Sequence, residues 1–75
     1  MSYQELKMIM RAKSSLAKGL VNLLKDDTER IYIDADDFDI FSLSEDVREA
    51  KRTAQHLIDT LTDIERSIRV AKRDA

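Results

Sequence analysis

Residues 47–71 carry apolar side chains at spacings of three and four that alternate without a break. This spacing places all of them on one stripe of an α-helix, the seam by which helices pack against helices. A helix with such a seam is not stable alone in water, so it must lie against another helix of its own chain or of a partner. The seam residues are Val47, Ala50, Ala54, Leu57, Leu61, Ile64, Ile68 and Ala71.

A first helix is predicted near the N-terminus, over residues of about 2–25. Ser2 and Glu5 form the S-x-x-E pattern of a capping box, which satisfies free backbone N–H groups at a helix start. The apolar stripe that follows is broader than a two-stranded coiled coil needs, and such width suits a helix that touches two neighbours. Its seam residues are Leu6, Ile9, Leu16, Leu20 and Leu23, flanked by Met10, Ala17 and Leu24.

Two residues of this first helix are unusual for their positions. Lys13 falls on the seam, where either its stem lies along the apolar stripe with the ammonium in water, or it sets the helix register. Gly19 costs about 1 kcal/mol relative to alanine inside a helix. Because Ala12 precedes it by seven residues, we expect another helix to approach closely there, or the first helix to kink.

The second helix is predicted over residues of about 44–73. Another S-x-x-E pattern at residues 42–45 precedes the seam, so Ser42 or Ser44 is expected to cap the helix. Acidic residues then fall in the first turn (Glu45 and Asp46) and basic residues in the last, as the helix dipole favours. A column of small hydroxyl residues runs beside the seam: Thr53, Thr60 and Ser67.

Residues 26–41 connect the two helices and do not read as an ordinary linker. The segment lacks glycine and proline and holds three of the four aromatic residues of the chain. A segment this apolar is expected to dock on the helices, as an irregular or partly helical connector folded over their end. A short strand hairpin of residues 30–34 and 38–43 stays open. So does a helical form of residues 28–33, either as an extension of the first helix or as a separate turn of helix.

The connector combines aromatic residues with a run of carboxylates. Aromatic anchors supply much of the energy at protein interfaces, and charge steers a partner of opposite sign. The alternative is that the aromatic side chains only plug the open end of the bundle. The predicted partner-binding residues are Tyr32, Asp34, Asp36, Asp37, Phe38, Asp39 and Phe41.

Charge is distributed unevenly, although the formal net charge is only −2. Residues 1–25 and 47–75 are net basic, whereas residues 26–46 are strongly acidic. In an antiparallel hairpin both chain ends meet, which makes a basic end a candidate for nucleic-acid contact, although the acidic pI of about 5.3 argues against it. The residues of this basic end are Lys7, Arg11, Arg66, Arg69, Lys72 and Arg73.

Catalytic and metal-binding patterns are absent from the sequence. There is no cysteine, the single histidine (His56) is expected to face solvent, and no glycine-rich phosphate loop occurs. From Asp34 the acidic run has part of the spacing of a calcium loop, but Asp39 stands where the sharp turn needs glycine. We therefore predict no enzyme, no cofactor and no metal centre. A looser cation site formed by Asp34, Asp36, Asp37 and Asp39 stays open.

Residues 1–75 are expected to form one all-α domain, an antiparallel helical hairpin. A domain this small, without disulfides or metals, usually completes its core by oligomerising, so we expect a homodimer that forms a four-helix bundle. Neither a signal peptide nor a membrane-spanning stretch is evident, which favours the cytoplasm. The predicted function is a small intracellular interaction module, that is, a regulator, adaptor, chaperone or inhibitor. The alternatives are a nucleic-acid-binding hairpin that uses the basic end, and an acidic decoy that occupies a basic site on a partner.

Overall fold

The computed structural model describes residues 2–74 as two long helices that run antiparallel. Helix α1 spans Tyr3–Asp36 and helix α2 spans Ile40–Asp74, and the molecule is a rod of 54 × 15 × 12 Å. The predicted all-α helical hairpin is confirmed. Within the described residues no helix has a stretch long and apolar enough to cross a bilayer.

Helix α1 begins where the sequence predicts and ends much later. The Ser2 hydroxyl accepts a hydrogen bond from the Glu5 backbone N–H at 3.2 Å, which confirms the predicted cap. The predicted end near residue 25 is wrong, because the helix continues for about three more turns to Asp36. The favoured connector is irregular or partly helical; its irregular form and the strand hairpin are overturned, and the alternative in which residues 28–33 extend the helix is correct. No glycine or proline interrupts this stretch, so nothing in the backbone stops the helix.

Only residues 37–39 lie outside the helices in the connection. The backbone N–H of Asp39 donates to the Asp34 carbonyl at 2.9 Å, and that of Phe38 donates to the Ala35 carbonyl at 3.2 Å. These two bonds are the pair that defines a Schellman motif, with Phe38 at its left-handed position. The turn is therefore a compact, hydrogen-bonded stop rather than a docked segment.

Helix α2 begins four residues before the predicted start. The Asp39 carboxylate accepts a hydrogen bond from the Ser42 backbone N–H at 3.1 Å, so Asp39 takes the capping role that was predicted for Ser42 or Ser44. As a result Glu45 and Asp46 lie beyond the first turn, which contains no acidic residue. The basic residues expected in the last turn are present as Lys72 and Arg73.

The interface between the helices uses only part of the predicted seams. The hydroxyl column of α2 faces α1, and Thr60 is only 2% exposed. Small hydroxyl side chains let the helices approach closely, and each of these hydroxyls bonds a carbonyl of its own helix. Predicted seam residues that are buried are Leu6, Leu20 and Ala50; those half-buried are Ile9, Ala54, Leu57, Ile64 and Ala71; those exposed are Leu16, Leu23, Val47, Leu61 and Ile68.

The two unusual residues of α1 behave differently from each other. Lys13 is half-exposed, and its Nζ lies 3.2 Å from Oδ2 of Asp63, so it forms an ion pair between the helices. At Gly19 an added Cβ would meet nothing within 4 Å. The close approach expected at Gly19 is therefore not made within the chain, and α1 runs through this residue without a break.

Candidate functional site

The candidate site is the end of the rod at which the two helices join, which we call the elbow. Its outer surface, here called the tip, carries five large apolar side chains that are all more than half exposed. The three aromatic side chains are about three-quarters exposed, so the predicted docking of the connector is wrong, and so is the alternative in which they plug the bundle. The tip residues are Tyr32, Ile33, Phe38, Ile40 and Phe41.

Phe38 is the most exposed of these residues, at 79%, and its backbone is unusual. Its φ angle of 55° lies in the left-handed region, which glycine occupies at little cost and a bulky residue rarely adopts. Placing an L-residue there costs about 1 kcal/mol. The backbone conformation of Phe38 therefore destabilises the fold, and glycine at this position would remove the strain. Because the ring is exposed, its packing does little to offset this cost.

Carboxylates surround the aromatic side chains of the tip. Asp36, Asp37 and Asp39 are exposed, and of these Asp39 also caps α2. An open groove of about 370 Å³ lies along α1 beside the tip, lined by Thr28, Glu29, Tyr32 and Ile33. The tip thus combines aromatic side chains, negative charge and a shallow depression.

A polar network lies beneath the tip and joins the two helices. Asp27 is only 4% exposed; its Oδ2 accepts a hydrogen bond from the Thr53 hydroxyl of α2 at 3.0 Å, and its Oδ1 pairs with Arg30. Arg30 also reaches across to Asp46 of α2, with 3.9 Å between Nε and Oδ1. A buried carboxylate must be paired and hydrogen-bonded to be tolerated, and here both oxygens have partners.

The Thr53 hydroxyl has one proton and two acceptors within reach. The Glu49 carbonyl of its own helix lies at 3.2 Å and the Asp27 carboxylate at 3.0 Å. Because an ionised acceptor forms the stronger hydrogen bond, the cross-helix bond to Asp27 is favoured. Thr53 therefore links the helices, whereas the Thr60 hydroxyl bonds only the carbonyl of His56 on its own helix, at 2.8 Å.

Asp34 and Asp46 face each other from opposite helices at the elbow. A side-chain hydrogen bond with Asp46 and partial burial raise the pKa of Asp34 to about 6, and repulsion by Asp46, Asp39 and Asp37 adds to the increase. Oδ2 of Asp34 is buried and has no hydrogen-bond partner among the described residues. Protonation of Asp34 therefore removes the repulsion that this carboxyl group meets from the carboxylates around it.

The other sequence-predicted sites are distributed as follows. The four carboxylates considered as a loose cation site do not form a group able to hold a metal ion within residues 2–74. His56 is exposed, as expected. At the opposite end of the rod, Lys7 and Arg11 line a cavity of about 200 Å³ together with Ala71, so the two chain ends lie together. Arg66 is paired there with Asp63 at 3.5 Å, while Arg69, Lys72 and Arg73 are exposed.

Sequence reasoning missed the network residues Asp27, Arg30, Asp46 and Thr53. A signal was present, because Leu6, Lys13, Leu20, Asp27 and Asp34 stand seven residues apart and so share one face of a helix. The seven-residue repeat therefore marks Asp27 and Asp34 as interface residues once the helix is allowed to continue.

Comparison of the chain with models of protein families, with curated proteins and with solved structures gives no match.

Proposed function

We propose that this chain is a protein-interaction module that presents its tip to a partner protein. The partner site that fits the tip is an apolar depression rimmed by lysine or arginine, because it must accept aromatic rings framed by carboxylates. The observation that carries the proposal is Phe38, an aromatic residue that is 79% exposed and kept at a left-handed position that glycine would fill without strain.

The energetics of the tip favour recognition. Most of the binding energy of an interface comes from a few hot-spot residues, which cost about 2 kcal/mol or more when truncated and are enriched in tryptophan, tyrosine and arginine that fill partner pockets. Asp36, Asp37 and Asp39 raise the association rate with a basic partner and repel nucleic-acid phosphates. The network of Asp27, Arg30 and Thr53 holds both helix ends in place beneath the tip. A tip held rigid before binding loses less conformational entropy on binding.

Regulator, adaptor, chaperone and inhibitor are all roles for such a module, and an acidic decoy that occupies a basic site is the narrowest of them. We place it in the cytoplasm. The body of the hairpin is proposed to self-associate into a four-helix bundle, since by itself it buries four apolar side chains among the residues that the structure describes: Leu6, Ala17, Leu20 and Ala50. Nucleic-acid binding by the basic end stays an untested prediction.

Capture by immobilised wild-type and variant chains in a lysate of the native host tests the proposal. Phe38→Gly is expected to raise the free energy of unfolding by about 1 kcal/mol, because it relieves backbone strain, and to abolish capture of the partner. Phe38→Asn, which also tolerates the left-handed region, should behave in the same way. Met8→Ala removes an exposed apolar side chain near the other end of α1 and is the matched control, with capture unchanged.

The charge of the tip is tested separately with Asp36→Asn combined with Asp37→Asn. This variant should keep the wild-type melting temperature and bind the captured partner more slowly, chiefly at low salt, because screening removes the steering effect. If Phe38→Gly captures the same proteins as the wild type, or if it lowers stability, Phe38 is a structural residue and the proposal is wrong.

A further inference from the structure

An apolar side of α2 beside the column that is buried against α1 is only partly covered. Val47, Ile58, Leu61 and Ile68 are 38%, 55%, 47% and 40% exposed, and the half-buried Ala54 lies among them. Their spacing places them on one continuous stripe over six turns of helix. We call these five residues the outer stripe of α2.

The hairpin exposes more surface than a chain of its mass should. Its accessible area is 5920 Å², whereas a compact monomer of this mass exposes about 4,700 Å². The excess of roughly 1,200 Å² exceeds the ~800 Å² per partner that a standard interface buries. The rod shape contributes to this excess, and the excess leaves room for one interface of standard size on the outer stripe.

The charges that flank the outer stripe indicate what covers it. Lys51 and Glu65 are exposed, lie seven residues before and after Ile58, and enter no ion pair within the part of the chain that the structure describes. In an antiparallel pair of α2 helices centred near Ile58, Lys51 meets Glu65 of the partner subunit, and the converse pair forms as well. Parallel pairing would instead bring Lys51 against the partner's Lys51, which is repulsive.

A rival apolar stripe exists on α1, formed by Ile9, Leu16 and Leu23. An antiparallel pair centred on Leu16 would bring Glu5 close to Asp26 of the partner subunit, so its flanking charges repel. Charge complementarity therefore selects the stripe on α2.

We propose that a second copy of this chain packs on the outer stripe of α2, antiparallel about a two-fold axis near Ile58. Val47 then lies over the partner's Ile68, and Ala54 lies over the partner's Leu61. The inference specifies the surface of the proposed self-association and does not depend on the role of the tip. The elbows of the two subunits point in opposite directions in this dimer, so each tip stays free to bind a partner protein.

Charge reversal tests the interface directly, with sedimentation equilibrium as the measurement. Lys51→Glu alone and Glu65→Lys alone should each raise the dimer dissociation constant about tenfold, because each converts two attractive pairs into repulsive ones. The double variant should restore the wild-type constant. Residues 51 and 65 are about 21 Å apart along one helix, so a rescue of this kind cannot arise within a chain.

The outcomes separate the interface from the self-association itself. If the wild-type chain is a monomer at micromolar concentration, the proposed interface and the self-association are both wrong. If the wild type is a dimer but the single variants keep its dissociation constant, the proposed interface alone is wrong. The same holds if the double variant dissociates as readily as the single variants. Both substituted residues are exposed, so loss of folding does not confuse the result.

A second measurement uses the absence of cysteine, which allows one nitroxide label per chain. In the proposed dimer the two copies of a residue are separated along the axis by about 3 Å for each position away from residue 58. A label at Asp59→Cys should therefore give a distance much shorter than one at Glu45→Cys, since their axial separations are about 3 Å and 39 Å. Equal distances at the two positions contradict the antiparallel arrangement.

Discussion

The two halves of the hairpin interface are built from different chemistry. In the elbow half a buried carboxylate, Asp27, is held by Arg30 and by the Thr53 hydroxyl of the other helix. In the half nearer the chain ends, Leu6 and Leu20 are buried, and the Thr60 and Ser67 hydroxyls bond carbonyls of their own helix. The cross-helix pair of Lys13 and Asp63 in this half is partly exposed rather than buried. The apolar half supplies the burial energy, while the polar half contributes little net stability.

The difference indicates what each half is for. Apolar contacts tolerate sliding and rotation of one helix on the other, whereas a buried carboxylate with fixed donors accepts one register only. The polar half lies directly beneath the exposed aromatic tip. We therefore interpret the elbow network as the device that holds the tip in one conformation.

The largest effect is expected in the apolar half. Leu20→Ala should lower the free energy of unfolding by about 2–3 kcal/mol, because it removes a nearly fully buried side chain and leaves a cavity. Leu23→Ala makes the same chemical change at a residue that is 55% exposed, and its cost should stay below about 1 kcal/mol. Urea denaturation followed by circular dichroism measures both, and equal losses would mean that the helices pack on another face.

A matched pair of valine substitutions compares the two halves along one column of α2. Thr53→Val should cost about 1–2 kcal/mol, since it leaves the buried carboxylate oxygen of Asp27 without its donor. Thr60→Val removes a hydroxyl that bonds only its own helix, so it should be neutral or slightly stabilising. If both variants behave alike in the same denaturation assay, the polar half does not act as a distinct unit.

Gly19 is a weak point in the apolar half. Gly19→Ala should stabilise the hairpin by about 0.5–1 kcal/mol, because the added methyl group meets nothing within 4 Å and alanine is the better helix former. Thermal melting by circular dichroism measures the gain. A loss of stability would instead mean that a second copy approaches α1 closely at Gly19, on the rival stripe.

The smallest effect concerns pH in the polar half. The pKa of Asp34 in the folded chain is about 6, above its ordinary value, so the folded state binds this proton more tightly than the unfolded state. The bound proton therefore adds to the free energy of unfolding. This contribution is fully present at a pH below about 4 and is lost as the pH rises through 6. Asp34→Asn should therefore raise the melting temperature at pH 7.5, with the gain fading by pH 4.5.

Asp36→Asn is the control for that measurement, because it removes one exposed carboxylate from the same end of the molecule. Its effect on the melting temperature should not show the same dependence on pH. A gain from Asp34→Asn that is constant between pH 4.5 and 7.5 would contradict the raised pKa of Asp34.

The regular part of the fold is readable from the sequence. The Ser2 cap, the helical hairpin and the basic last turn of α2 all follow from local patterns that the structure retains. The length of α1 could not be predicted from these local patterns. Ile31, Tyr32 and Ile33 favour strands, and the nearby aspartates favour turns, yet pairing with α2 keeps the segment helical.

The partition of the apolar stripes could not be predicted from one helix at a time. On α2 the column of Thr53, Thr60 and Ser67 is less apolar than the outer stripe, yet it is the column buried against α1. Close approach at small side chains, together with the acceptor that Asp27 offers to Thr53, selects this face. Both causes lie on α1 or in the spacing of the two helices. The hydropathy of α2 alone therefore does not predict which of its faces is buried.

A double-mutant cycle between Asp27 and Thr53 tests the central claim most directly, with Asp27→Ala, Thr53→Val and the combined variant measured by urea denaturation. If the hydrogen bond between Thr53 and Asp27 joins the helices, the two residues should be coupled by about 1.5–3 kcal/mol, as for a bond to a charged group. The effects of independent sites add to within about 0.3 kcal/mol. A coupling free energy below that value would therefore contradict a hydrogen bond that joins the helices. The elbow network would then not hold the tip.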